Sequence, residues 1–256
     1  MTDNGAQYGK DVPSLLARQT LLDRDLVRPV TSRPVIRMLP WLDIVVIGGG
    51  TIVDRGRDAL LPLVEELREA FAEHHRMLIL TGAGIRARHA IGVGLDLGLP
   101  TGALSALAAT EAEQNGHLLA ALLAADGVSY VPHGTVARQL AGHLAAAPAV
   151  VSNGYPPYGT HEFPAAVGKL PVHRTDAGAV LLADAFGAQR LIFVKDTDGP
   201  GGRVPATTAD LPVDRLACEL LSTAKNVREF RVVNGLTRGA LTDALADKDA
   251  GTVVHA

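Results

Sequence analysis

From residue 43 onward, short apolar runs rich in Val, Ile and Leu alternate with longer Ala- and Leu-rich stretches whose apolar positions recur every three to four residues. The short runs predict strands and the longer stretches predict amphipathic helices. The predicted strands are Ile44–Ile47, Met77–Thr81, Val128–Val131, Ala149–Ser152, Leu191–Val194, Phe230–Val233 and Thr252–Val254. The predicted helices cover residues 60–71, 85–97, 110–125, 135–146, 176–186, 214–226 and 238–246. Because strands joined by helical crossovers run parallel, this alternation predicts an α/β domain over residues 41–256, with helices on both faces of one sheet.

The N-terminal residues and two long connections depart from this alternation. Residues 1–40 are polar, contain four prolines and carry one short helical pattern over Leu15–Leu22. Such an arm has no core of its own, so we expect it to dock against another subunit. The connections at residues 153–174 and 196–212 are long and rich in Gly or Pro. Because ligands of open α/β sheets bind beyond the carboxyl ends of the strands, we expect ligand-binding or catalytic residues in these connections.

Composition and charge disfavour several classes of protein. The 256 residues are 47% hydrophobic and 4% aromatic, which is typical of a folded chain with an aliphatic core. The 24 basic and 27 acidic residues are interspersed, so the basic patch that a nucleic-acid partner requires is missing. The single cysteine allows neither an intrachain disulfide nor a Cys-based zinc site. The sequence shows no signal peptide and no long apolar segment, and we therefore expect a cytoplasmic protein without a membrane partner.

Glycine-rich loops follow the first two predicted strands, and cations follow the second loop. Glycine lets backbone N–H groups approach an anion, and the helix N-terminus behind each loop adds a favourable dipole. A plain tight turn and a solvated first helical turn are the alternatives. The expected residues for binding a phosphate or another small oxyanion are Gly48, Gly49, Gly50, Gly82, Gly84 and Arg86, with Arg88 and His89 beside them.

Two common nucleotide-binding motifs are disfavoured or absent. Residues 82–87 fit GxGxxA, but a dinucleotide site also needs an acidic residue about 20 positions further on, and Leu99–Ser105 contains none. The pattern GxxxxGK[ST] occurs nowhere in the chain, which excludes a P-loop nucleotide triphosphatase.

The order of six segments resembles the amino acid kinase family: DIVVIGGG at 43–50, LTGAGIRARH at 80–89, HRTDAGAVLLADAFGA at 173–188, VKDTDG at 194–199, VVNG at 232–235 and AGTVVH at 250–255. The segments VGLDLGLP and PPYGTHEFP resemble its molybdenum-storing members, above all their alpha-type subunits. The resemblance implies a three-layer α/β/α sandwich around a mainly parallel sheet. It also implies a hexameric cage, built from this chain or with a homologous second subunit, in which ATP with Mg²⁺ is used to load molybdate or tungstate as oxide clusters.

The same resemblance assigns candidate site residues. Asp176 matches the catalytic carboxylate that organises phosphoryl transfer, although its place at a predicted helix start also suits an N-cap. The residues that resemble the nucleotide-facing segment are Lys195, Asp196, Asp198 and Gly199. The residues that resemble metal-cluster contacts facing the cage interior are His133, Gln139, His143 and His161. For each histidine the alternative is an ordinary solvated or hydrogen-bonded side chain.

Departures from the family pattern bear on the activity. Val46 stands where family kinases carry a lysine before the first glycine loop, and among the five lysines of the chain Lys195 is the one beside a predicted phosphate loop. Pro132, Gly159 and Thr160 replace cluster-binding residues, so we expect different cluster types. The replacement of the family lysine by Val46 therefore argues against phosphoryl transfer or ATP hydrolysis by this chain alone. The leading hypothesis is a storage subunit with a partly degenerate ATP site, and the alternatives are a uridylate kinase-like enzyme or a structural partner that only completes a cage.

Overall fold

The computed structural model describes residues 36–156 and 169–256, which form eight strands and seven α-helices. The strands are β1 (Asp43–Ile47), β2 (Met77–Thr81), β3 (Ser129–Tyr130), β4 (Ala149–Asn153), β5 (Arg190–Lys195), β6 (Gly202–Pro205), β7 (Glu229–Asn234) and β8 (Thr252–His255). The helices are α1 (Arg57–Ala70), α2 (Ile85–Asp96), α3 (Thr101–Leu122), α4 (His133–Leu144), α5 (Thr175–Phe186), α6 (Arg215–Thr223) and α7 (Ala240–Leu245). Residues 1–35 of the predicted docking arm, and the predicted cluster contact His161, lie outside the described residues.

The strands form one sheet in the order β3-β4-β2-β1-β5-β7-β8-β6. β1 lies at its centre and pairs in parallel with β2 and β5, so that Asp43 is opposite both Met77 and Arg190. β8 runs antiparallel to β7, and β6 pairs in parallel with β8 at the edge. The mainly parallel sheet predicted from the sequence is confirmed.

Helices cover both faces of this sheet because alternate side chains of each strand point to opposite sides. Val46 and Phe193 lie on one face and pack in a cluster with apolar residues of α4, α5 and α6. Val45 and Ile47 lie on the other face, in a cluster with apolar residues of α1, α3 and α7. The three-layer α/β/α arrangement is thus present, with two cores separated by the sheet.

The structure adds one strand to the predicted set and starts one helix nine residues earlier, whereas the other helix boundaries differ from the prediction by three residues or fewer. β6 lies within the connection at residues 196–212, which the pattern predicts as a loop. The pattern misses this strand because Gly202 and Pro205 are residue types depleted in strands, and proline is tolerated there only because β6 is an edge strand. α3 begins at Thr101 rather than residue 110. Its first turns carry Gly102 and Ser105, which are buried although they are not apolar enough to produce a periodic signal.

No helix of the described residues is both long enough and apolar enough to cross a membrane.

Candidate functional site

The loops after β1 and β2 are in direct backbone contact at the carboxyl edge of the sheet. The N–H of Gly82 donates to the carbonyl of Ile47 over 3.0 Å, which holds the second loop beside the first. A Cβ built on Gly49 would lie 2.3 Å from the amide nitrogen of Gly84 and 2.6 Å from the carbonyl oxygen of Gly82. Backbone atoms cannot yield to such a contact unless the loops part, so position 49 requires glycine.

The first loop is a closed turn anchored to β5. The N–H of Gly48 donates to the carbonyl of Val194 over 3.0 Å, and the carbonyl of Gly48 accepts the N–H groups of Ile52 and Val53 over 3.0 and 3.1 Å. A Cβ on Gly48 would lie 2.0 Å from Thr51 Oγ1. Glycine at 48 therefore allows the chain to turn back immediately after β1.

A carboxylate occupies the N-terminus of α2, where the sequence predicts a bound anion. Asp54 Oδ2 accepts the N–H of Ile85 over 2.5 Å. Gly84 has a φ of 77°, and a Cβ there would lie 2.4 Å from Asp54 Oδ2. The helix dipole stabilises this carboxylate, but the carboxylate repels a second anion. We therefore expect an oxyanion near these loops to bind away from the first turn of α2.

The two loops form one wall of a cavity of about 590 Å³, a volume typical of small-molecule sites. Seven residues selected from the sequence line this cavity together: Gly48, Gly49, Gly50, Gly82, Gly84, Asp176 and Lys195. The remaining wall includes the charged residues Arg88, Arg174 and Asp214. The structure thus brings the two glycine loops and the α5 carboxylate to one place.

A buried ion pair forms part of the cavity wall. Lys195 Nζ donates to both carboxylate oxygens of Asp176, over 2.9 and 2.8 Å. Only 11% of the Lys195 side chain and 7% of the Asp176 side chain are exposed, so solvent screens the pair weakly. Asp176 lies in the first turn of α5, where the helix dipole also favours a negative charge.

Asp214 is a second carboxylate at this place, and the sequence gives no direct signal for it. Its backbone N–H donates to Asp176 Oδ2 over 3.0 Å, and its Oδ1 accepts from Arg174 over 2.5 Å. Burial and then the charge of Asp176 raise the pKa of Asp214, against the opposing effects of Arg174 and Lys195. The sequence places Asp214 at the start of the predicted helix 214–226, and only the packing of α6 on α5 brings it to Asp176.

The cavity fits the phosphates of a nucleotide and a Mg²⁺ ion. Gly48 and Gly49 line the cavity without side chains, so an anion in the cavity can approach the backbone of the loops closely. Lys195 supplies a positive charge, and the carboxylates of Asp176 and Asp214 are the hard oxygen ligands that Mg²⁺ prefers. The raised pKa of Asp214 reflects crowded negative charge, which a divalent cation would relieve.

Val46 leaves β1 without a cation, and β5 provides one instead. Val46 is fully buried and lies in register with Phe193 on β5. Two residues after Phe193, Lys195 lies on the same face of the sheet, with Nζ 5.6 Å from the centre of the Phe193 ring. In the described part of the sheet edge, the positive charge therefore comes from Lys195 on β5. β5 is adjacent to β1, the strand that carries the lysine in family kinases.

Four predicted nucleotide-site residues do not line this cavity. Arg86 pairs with Glu111 over 3.0 Å and also donates to Asn115. Asp196 pairs with Arg55 over 2.7 Å. Asp198 accepts the N–H of Asn234 over 2.8 Å, and Gly199 follows it with a φ of 73°. Arg88, two residues after Arg86, faces the cavity in its place, whereas the proposed contacts of Asp196, Asp198 and Gly199 stay predictions.

The predicted cluster contacts of α4 fall in two different hollows. Gln139 and His143 line the same open groove, as their i and i+4 spacing predicts. His133 lies at the start of the helix and lines a smaller hollow beside Tyr155. Burial lowers the pKa of the His133 imidazole. Within residues 36–156 and 169–256, no group of three His, Cys, Asp or Glu side chains could hold a single metal ion.

The fold and this cavity define an α/β protein with a candidate ligand site at the carboxyl edge of a mainly parallel sheet. A sequence model described as the amino acid kinase family matches residues 43–199. The chain belongs to the amino acid kinase family. It is 40% identical, over 265 aligned residues, to the molybdenum storage protein subunit beta of Azotobacter vinelandii (strain DJ / ATCC BAA-1303), and the alignment covers 96% of this chain and 97% of that protein.

Solved structures of kinases share the fold at low sequence identity. A uridylate kinase from Archaeoglobus fulgidus matches with a TM-score of 0.63 and 20% identity, covering 83% of this chain and 99% of that one. A UMP kinase from Bacillus anthracis matches with a TM-score of 0.63 and 15% identity, covering 84% of this chain and 96% of that one. At these identities the likeness shows the architecture alone.

The contact at Gly49 predicts a selective effect of adding one methyl group. Gly49→Ala should lower the free energy of unfolding by about 2 kcal/mol, because the added Cβ overpacks two backbones. It should also weaken nucleotide binding, because the cavity wall must open. Chemical denaturation and calorimetric titration with a nucleotide measure the two effects.

Gly50→Ala is the matched control. A Cβ at Gly50 meets only Asp54 Oδ2, at 3.8 Å, so this variant should keep the stability of the unchanged protein. Equal stability of the Gly49→Ala and Gly50→Ala variants would contradict the proposed loop contact.

The carboxylates at the cavity predict a coupled titration. Asp176→Asn should lower the pKa of Asp214, because it removes a neighbouring negative charge and leaves Lys195 available to Asp214. The ¹³C shift of the Asp214 carboxyl group, assigned with Asp214→Asn, reports this pKa in a pH titration. Asp243→Asn, on α7, is the control and should leave the titration of Asp214 unchanged. An unchanged or raised pKa in the Asp176→Asn variant would show that the two carboxylates are not coupled.

Proposed function

We propose that this chain is a subunit of a molybdenum storage-type protein, which binds molybdate or tungstate as oxide clusters inside an oligomeric cage. The observation that carries the proposal is the 40% identity to a molybdenum storage protein subunit over nearly the whole of both chains. That relative is named a beta subunit, whereas the sequence segments favour the alpha type. The subunit type of this chain therefore stays a prediction.

The cavity at the carboxyl edge is the proposed nucleotide site. The glycine loops would surround the phosphates of ATP, Lys195 would lie against them, and Asp176 with Asp214 would hold Mg²⁺. When bound, Mg²⁺ screens the phosphate charge and orients the terminal phosphate. Lys195 is already paired with Asp176, so a phosphate must share this cation with a carboxylate. Together with Val46, this supports a nucleotide site that favours binding over rapid phosphoryl transfer.

The groove beside α4 is the proposed contact surface for an oxide cluster. It has a volume of about 580 Å³ and is lined by Ser129, Arg138, Gln139 and His143 among small residues. No carboxylate is among the groove residues that the structure describes. Side chains that donate hydrogen bonds, next to one guanidinium and without opposing acids, suit an anion covered by oxygen atoms.

The proposal includes assembly of this chain with other subunits. The relative is named a subunit, which supports a partner copy or a homologous second chain. We infer that residues 1–40 dock against that partner, that six subunits enclose the cage, and that the protein works in the cytoplasm.

Metal content tests the storage function directly. Protein purified from cells supplied with molybdate, together with any co-assembling chain, should retain several molybdenum atoms per subunit after gel filtration, measured by mass spectrometry. Loading should require ATP and Mg²⁺, and Gln139→Leu combined with His143→Leu should reduce it. His255→Leu, on β8 and outside the α4 groove, is the control. Metal-free protein under saturating molybdate and ATP, with its partner present, would reject the function.

A small-molecule kinase is the second candidate, because the cavity keeps a lysine and two carboxylates beside its glycine loops. It predicts ADP release that depends on an acceptor such as a nucleoside monophosphate, a carboxylate or a phosphonate. Asp176→Ala should abolish that release. Absence of turnover across these acceptors would remove the kinase and leave the storage function, or a structural subunit that binds no ATP.

A further inference from the structure

The amide group of Asn153, at the end of β4, is fully buried and held in one orientation. Its Oδ1 accepts the backbone N–H of Tyr155 over 3.1 Å. Its Nδ2 donates to the carbonyl of Ala109 over 3.3 Å. Exchanging the amide oxygen and nitrogen would place a donor against an N–H and an oxygen against a carbonyl. Two backbone partners therefore fix which end of the amide is the NH₂ group.

That NH₂ group faces His133. Asn153 Nδ2 lies 2.9 Å from His133 Nδ1, and this is the shortest of the contacts of the amide nitrogen. Two nitrogens at this distance need one hydrogen between them, and the amide supplies it. His133 Nδ1 must then carry the lone pair, so the proton of the neutral ring lies on Nε2.

The ring nitrogen with the proton is the one left for a ligand. His133 lines a hollow of about 200 Å³ together with Ser105, Thr110 and Tyr155, and no carboxylate is among the described residues of its wall. A protonated Nε2 offers no lone pair to a metal ion, but it can donate a hydrogen bond to an oxygen atom. Because Asn153 engages Nδ1, neither ring nitrogen is available for coordination in this state.

We propose that Asn153 is a positioning residue that holds His133 as an Nε2–H donor, so that His133 contacts the oxygen atoms of a bound oxyanion and does not coordinate its metal. The ligand class is a tetrahedral oxyanion or the oxygen surface of an oxide cluster. This inference rests on the proposed storage function for its ligand, but the tautomer is a property of the protein alone.

The tautomer can be measured without molybdate. Solid-state ¹⁵N spectra of the full-length protein with ¹⁵N-labelled histidine distinguish the two neutral forms, and the signal that disappears in His133→Gln assigns His133. The expected result at neutral pH is an unprotonated Nδ1 and a protonated Nε2. A proton on Nδ1, in either a neutral or a charged ring, would overturn the proposal.

Substitution at position 153 tests whether Asn153 sets the tautomer of His133. Asn153→Asp replaces the facing donor with an acceptor, so a proton should appear on Nδ1 of His133. Persistence of the Nε2–H form in a folded Asn153→Asp variant would show that Asn153 does not position the ring. If that variant fails to fold, the spectrum of the unchanged protein still decides the proposal.

Substitutions at position 133 separate donation from coordination. Glutamine places an amide N–H near the position of Nε2 but has no ring nitrogen, so His133→Gln should keep molybdate affinity within about twofold of the unchanged protein. His133→Leu removes the donor and should weaken binding about tenfold, as expected for a lost hydrogen bond to an anion. Molybdenum content at subsaturating molybdate measures both, and equal losses in the two variants would indicate coordination by His133.

The storage function and the role of Asn153 can be rejected separately. A protein that binds no molybdate under any condition rejects the storage function, while the ¹⁵N spectrum still determines the tautomer. A protein that stores molybdate but shows a proton on Nδ1 rejects the role of Asn153 and leaves the storage function intact.

Discussion

The backbone contact between two glycine loops is the constraint on which the carboxyl edge of this protein depends. Gly49 approaches Gly82 and Gly84 so closely that no side chain fits between them. This contact places the ends of β1 and β2 beside each other, and the hydrogen bond from Gly48 to Val194 adds the end of β5. Three neighbouring strand ends therefore form one surface, and the cavity exists because their loops are small and closely packed.

Charge within that cavity is nearly balanced. Its wall carries three positive groups and three negative ones: Arg88, Arg174 and Lys195 against Asp54, Asp176 and Asp214. A bare oxyanion entering this cavity gains little, because the carboxylates that share the wall with the cations repel it. A nucleotide that brings a divalent cation would use the carboxylates as ligands and the lysine as a phosphate contact. The balance of charges therefore favours a metal–nucleotide complex over free molybdate.

Periodicity and glycine placement predicted most of the fold and the wall of the cavity, because these depend on local pattern. The parallel order of the strands follows from helical crossovers, and Gly48 and Gly82 follow directly from where strands end. Side-chain partners could not be predicted in this way. Arg86 and Arg88 are two residues apart on one helix, and only the packing of α3 against α2 gives Arg86 a partner in Glu111. Asp214 is 38 residues from Asp176, and it reaches the cavity only because α6 packs against α5.

The two proposed anion sites of the described surface differ in how they would neutralise charge. The cavity contains paired charges and suits a ligand that arrives with its own cation. The hollows along α4 contain His133, Gln139, His143 and Arg138, with no carboxylate among their described walls. Hydrogen-bond donors in a wall without carboxylates would stabilise an oxyanion without a counter-ion, and the neutral imidazole that we propose Asn153 holds would add such a donor. The charge of Glu113 also acts on His133, so this donor is not free of a nearby acid. Because the cavity at the sheet edge and the hollows along α4 are separate, a nucleotide would bind in the cavity while oxide accumulates along α4. Neither ligand would then compete for the contacts of the other.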